Sequence, residues 1–232
     1  MAQGAPPPAK IPPPPEAVAL EVLADEAAAG PDSSAALSAW NEAMTAYLAA
    51  GAWMEAARVA SKLASCEESG GLTDLAALHF RQAADCYRAA GEVHRVPMCL
   101  NNLAMLRKLS GDTDAASVLL VEALKTALSC HGHDHQETAL IAANLGSVMC
   151  ERGDFLAAEQ HHMQALRIRE HMFGPTHPEV GLSLGHLAVI HQIRGDLKRA
   201  RSFYHSALAI LDEFPGLHEG ERMILRANLQ EL

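Results

Sequence analysis

The sequence predicts an all-α solenoid built from antiparallel helix pairs, about eleven helices in all, and three observations carry that prediction. Gly111, Gly153 and Gly195 stand 42 residues apart, each precedes an Asp, and each is followed five residues on by an Ala: Ala116, Ala158 and Ala200. Small residues recur at two further columns, Ala104, Gly146 and Ala188, each after a Leu, and Ala123, Ala165 and Ala207, each before one. Small side chains at fixed positions let two helices cross closely. The composition, 49% hydrophobic but only 4% aromatic, gives a core of Ala and Leu, and no strand-length run alternates.

The elements follow in order. Residues 1–15 form a Pro-rich tail that favours an extended, unpacked conformation, with a docking strip for a proline-recognising domain as the other use. Residues 16–93 hold an N-terminal helix and divergent hairpins. The first helix runs over 16–29 and stops at Gly30-Pro31, after which Asp32, Ser33 or Ser34 caps the next. That helix, about 34–50, carries Trp40 and Tyr47 and is read as the start of the first hairpin, with Ala56 in the column of Ala116. A second hairpin starts near Leu72, where Phe80, Ala84, Tyr87 and Gly91 repeat Trp40, Met44, Tyr47 and Gly51. Gly91 and Gly111 are then only 20 residues apart, so the helix over 94–109 is expected to close one hairpin and open the next, a phase slip. Pro97 falls in its opening turn, where a missing N–H costs little. Residues 94–232 form the regular array, ending in a capping helix.

The helix, tight turn, helix unit resembles the tetratricopeptide repeat, which implies a right-handed superhelix. Three stretches sharpen this to the kinesin light chain type of repeat. They are Leu100-Asn101-Asn102-Leu103-Ala104, Ala165-Leu166-Arg167-Ile168-Arg169-Glu170, and Phe173-Gly174-Pro175-Thr176-His177-Pro178-Glu179-Val180. Gly132, His135 and Glu137 are a weaker copy of the last stretch, and Gly216 and Glu221 repeat its spacing. Kinesin light chains precede such an array with a heptad segment, whereas the first hundred residues here contain no sustained heptads. The expectation is a kinesin-light-chain-like repeat protein that is not itself a motor subunit.

The resemblance implies that the first helix of each pair lines a concave groove, where equivalent positions form a ladder: Asn102, Asn144, His186 and Asn228. Asn is a poor helix-interior residue, and its amide matches an extended peptide backbone; the other reading is that each Asn locks neighbouring helices together. Asn101, Met105, Lys108, Ser147, Val189 and Gln192 project onto the same face. The function expected is a non-catalytic scaffold or adaptor holding a segment of a partner protein. The alternative is a constitutive subunit of a large microtubule-based or ciliary assembly, docked by outer surfaces and ends.

Other classes lose ground. A net charge of −10 with scattered basic residues disfavours nucleic acid. No nucleophile elbow, phosphate loop or dinucleotide fingerprint occurs, so no catalysis, small-molecule substrate or cofactor is expected. Five Cys without a Cys-x-x-Cys pair read as reduced core residues, and no stretch is long and apolar enough for a membrane, which together give a cytoplasmic expectation, with a cytoskeletal or ciliary site as its refinement. His131, His133 and His135 alternate beside Cys130, donors that suit zinc, copper or nickel. The match of His135 to His177 favours loop packing instead, so no metal is expected.

Overall fold

The structure is a computed structural model and describes residues 12–29 and 33–232. The tail up to residue 11, the Gly30-Pro31 stop and the Asp32, Ser33 and Ser34 cap fall, wholly or in their deciding atoms, outside the described residues. Eleven α-helices and no strand occur among the described residues. They are α1 (Pro15–Ala28), α2 (Ser33–Ala49), α3 (Trp53–Ser69), α4 (Thr73–Ala89), α5 (Val96–Leu109) and α6 (Thr113–His131). There follow α7 (Gln136–Glu151), α8 (Phe155–Phe173), α9 (Pro178–Ile193), α10 (Leu197–Leu211) and α11 (Glu219–Gln230). Pro15 opens α1 and Pro97 lies in the first turn of α5, where no intrahelical N–H bond is lost.

Glycine sets the helix ends. Gly51, Gly71, Gly91, Gly111, Gly132, Gly153, Gly174, Gly195 and Gly216 all have positive φ, a conformation that costs other residues a steric penalty. At Gly111 the Asp112 N–H bonds the Arg107 carbonyl and the Gly111 N–H bonds Lys108, the paired bonds that satisfy the last carbonyls of a helix. The same pair closes the turns at Gly51, Gly71, Gly91, Gly153 and Gly195. Asp112, Asp154 and Asp196 each accept the N–H three residues on and cap the next helix. The repeated Gly-Asp is therefore one device that ends a helix and starts another.

The chain divides into two compact units, Met1–Thr126 and Ala127–Leu232. In the first, α1 packs more extensively on α2, and α3 on α4, than α2 on α3 or α4 on α5. This corrects the expected pairing: the hairpins start at α1, Trp40 and Phe80 lie on second helices, and no phase slip occurs over 94–109. The Gly-plus-five Ala column misled the reading because Ala56 and Ala76 follow turns of both kinds, and both are fully buried. Glu21, 5% exposed, anchors α1. Its carboxylate accepts Tyr47 Oη and Lys62 Nζ, both at 3.0 Å, and pairs with Arg58, while Trp40 Nε1 donates to Asp25 at 2.8 Å.

In the second unit α7 packs on α8 and α9 on α10 more extensively than α8 on α9 or α10 on α11. The predicted columns Ala158, Ala165, Ala188, Ala200 and Ala207 are fully buried. Gly181 and Gly185 on α9 mark close approaches: a Cβ at Gly181 would lie 2.9 Å from Leu211 Cγ, and one at Gly185 3.0 Å from Leu225 Cδ2. Absent side chains thus set how near α10 and α11 come to α9.

Candidate partner-binding surface

The four ladder positions lie on alternate helices, Asn102 on α5, Asn144 on α7, His186 on α9 and Asn228 on the last helix, α11, and α7 and α9 each open a hairpin. In the first unit Asn102, Met105 and Lys108 are half-buried along α5, three residues apart, so they share a helical face. Asn101 is 4% exposed and donates Nδ2 to Asn102 Oδ1 at 3.3 Å, so it steadies its neighbour from within the packing.

In the second unit Asn144 and Ser147 are half-buried on α7, and Ser147 Oγ donates to the Ala143 carbonyl at 3.1 Å. Gln192 and Asn228 enter one chain of bonds: Tyr204 Oη donates to Gln192 Oε1 and accepts Asn228 Nδ2 at 3.2 Å. Those two amides tie α9, α10 and α11 together. Burial raises the Tyr204 phenol, which keeps it a neutral donor.

His186 is exposed and stacks on His162, ring centroids 4.8 Å apart. His162 is 2% exposed, and its Nδ1 has no hydrogen-bond partner. Burial first, then electrostatic repulsion from His186, Arg169 and His161 as charge would develop, hold its imidazole down at about 3, so it is neutral near pH 7. Its place is set by Gly146, where a Cβ would lie 2.7 Å from His162 Cδ2. The small residue at this column therefore admits a ring, and the ring supports His186.

His186 and Val189 also line a depression of about 150 Å³ with Leu182 and Gly185 of α9 and Glu221, Ile224 and Leu225 of α11. Its wall is mainly aliphatic, and Ile224 is 60% exposed beside it. The sequence pattern identified His186 and Val189; Gly185 was legible only as the second of two glycines four residues apart. Arg194, which caps the C-terminal end of α9, pairs with Glu159.

The histidine loop is ordered by its own groups. His135 Nδ1 accepts the Glu137 N–H at 3.2 Å as the cap of α7, and its ring stacks on His131 at 4.4 Å. His177 does the same for Glu179 at 3.3 Å, stacking on Phe173 at 4.6 Å. The loop-packing role predicted from the match of His135 to His177 is present in both copies. His133 is exposed and lies apart from the close group of His131, His135 and Glu137.

A profile of the family described as "Tetratricopeptide repeat" matches residues 96–171 and 140–213, which together span half of the chain. The chain belongs to the tetratricopeptide repeat family. Among solved structures, BtubC (BKLC) from P. vanneervenii is similar, 25% identical over 86% of this chain and 81% of that one, with a TM-score of 0.73. The apo form of RapI, 17% identical over 85% and 71%, also gives 0.73. MamA, 13% identical over 88% and 96%, gives 0.66. The TPR-like repeats of a Podosopora anserina chain titled as a kinesin light chain, 15% identical over 86% and 96%, give 0.67. No curated protein matches the chain. The array is similar to kinesin light chain-like repeats of known structure, and the tetratricopeptide fold is in general a protein–protein interaction scaffold. Among the described residues no helix is long and apolar enough to cross a membrane.

Proposed function

We propose that the chain is a non-catalytic adaptor that holds a segment of a partner protein against its first helices, in the second unit over α7, α9 and α11. The observation that carries this reading is the coincidence of sequence and shape at His186 and Val189, two ladder-face residues that border an aliphatic depression. A preformed, mainly apolar concavity with few polar groups suits a partner's apolar side chain, and the Asn144 amide on α7 suits a peptide backbone. Asn102, Met105 and Lys108 offer the equivalent face in the first unit.

The test is a partner capture with the wild-type chain and with Val189→Asp/Ile224→Asp, a variant that places two charges at the rim of the depression. Partners held by wild type are lost by the variant while its helical circular dichroism spectrum is unchanged. Equal recovery from a folded variant would remove this surface from the function. Asn102→Ala/Asn144→Ala tests the amides in the same way.

The second reading, a built-in subunit of a cytoskeletal or ciliary assembly, is favoured by apolar residues outside the groove, Val22 and Leu23 of α1 at 52% and 58% exposed and Met223 of α11 at 70%. An isolated chain that is soluble and monomeric by light scattering supports the adaptor; obligate co-purification with a fixed stoichiometry supports the subunit.

A further inference from the structure

The chain carries its own control for the loop between α6 and α7, because the loop between α8 and α9 is the same motif one 42-residue period later. His135 matches His177 and Glu137 matches Glu179, in sequence and in capping geometry. Among the positions that differ, two bear on this carboxylate. Phe173 is replaced by His131, and Arg169, whose Nη2 meets Glu179 Oε2 at 3.0 Å, is replaced by Ala127. Where the second loop has a hydrocarbon ring and a cation, the first has an imidazole that meets the carboxylate and a methyl group.

The result is a group of three donors of the right chemistry. One ligand atom from each of His131, His135 and Glu137 lies within 4.8 Å of the others. His131 Nε2 and Glu137 Oε2 are 3.2 Å apart, and both side chains are 15% exposed, sheltered yet reachable from solvent. Metal–ligand bonds of about 2.0–2.2 Å place neighbouring ligands of a tetrahedral ion a little over 3 Å apart, so this pair is already at ligating separation. Thr138 Oγ1 holds the loop by donating to the Gly132 carbonyl at 3.1 Å.

We infer that the α6–α7 loop binds a divalent transition metal through His131, His135 and Glu137, with water completing the shell. Two imidazoles and one carboxylate select a borderline ion such as Zn²⁺, Ni²⁺ or Cu²⁺ over Ca²⁺ or Mg²⁺, which take oxygen donors. Uptake has a definite cost. His135 Nδ1 accepts the Glu137 N–H, and the stacked rings are 14° from parallel, so His135 turns and yields that cap bond to the ion.

The experiment is calorimetric titration of the untagged full chain with ZnCl₂, paired with the visible absorption of bound Co²⁺. Wild type binds one Zn²⁺ per chain. His131→Phe recreates the residue of the chain's own second loop, keeps the ring stack, and weakens Zn²⁺ by more than about 100-fold, beyond the loss of an outer-shell partner. His133→Ala and Cys130→Ser, both at exposed residues, leave binding unchanged. Absence of stoichiometric Zn²⁺ in wild type, unchanged affinity in folded His131→Phe, or loss of the site in His133→Ala or Cys130→Ser overturns the inference.

Discussion

Gly146→Ala isolates how one missing methyl group shapes the ladder face. The added Cβ would stand 2.7 Å from His162 Cδ2, 2.8 Å from Nε2 and 3.0 Å from Cγ, closer than carbon atoms sit without displacement. The ring has little room to retreat, since His162 is 2% exposed and His186 stacks on it. Overpacking of this kind costs about 1–3 kcal/mol. Replacing a helical Gly by Ala returns about 1 kcal/mol, so the single variant is expected to lose about 0–2 kcal/mol net. In a His162→Ala background the obstacle is gone and Gly146→Ala becomes stabilising by about 1 kcal/mol. The two sites therefore couple by about 1–3 kcal/mol, read from urea unfolding of the four variants followed by far-ultraviolet circular dichroism. Additivity within about 0.5 kcal/mol would refute the contact as the reason for a small residue in this column.

Three further outcomes follow from the same geometry. Because His162 is held at about 3 when folded, below the 6.5 usual for His, the unfolded chain binds the proton first. Stability is full above about pH 6.5 and falls as pH drops toward 3, by up to about 5 kcal/mol, and His162→Phe flattens that part of the pH–stability profile. Glu21→Gln keeps the shape of the buried anchor but removes its charge; with Arg58 half exposed and the pair screened, the expected loss is about 1–2 kcal/mol, and hydrogen exchange quickens in α1 before α4. Unchanged protection in α1 would show that the apolar packing of α1 holds it alone. Gly185→Ala presses on Leu225, so exchange in α11 rises while α8 stays protected; equal protection in α11 would mean that Gly185 does not set that approach.

The helix ends were legible because a helix stops where a glycine adopts positive φ and restarts where an Asp accepts an N–H three residues on. Both events are complete within six residues, so Gly111-Asp112, Gly153-Asp154 and Gly195-Asp196 announce them without reference to the rest of the chain. The buried columns were legible for a similar reason: a 42-residue repeat places Ala158 and Ala200 in the same surroundings, and both are fully buried.

Sequence alone determined the repeat and the turns, since these depend on residues near one another in the chain or on strict periodicity. Tertiary packing decided which helices pair, because Ala56 and Ala76 look alike from the chain and only the alternation of wide and narrow contacts distinguishes their turns. It also decided the fate of individual polar groups. Asn101 is buried beside its half-exposed neighbour Asn102, Gln192 and Asn228 are joined through Tyr204, and Glu137 rather than His133 meets His131. Such outcomes turn on helix rotation and separation of an ångström or two, which are fixed only when every neighbouring side chain has found its space.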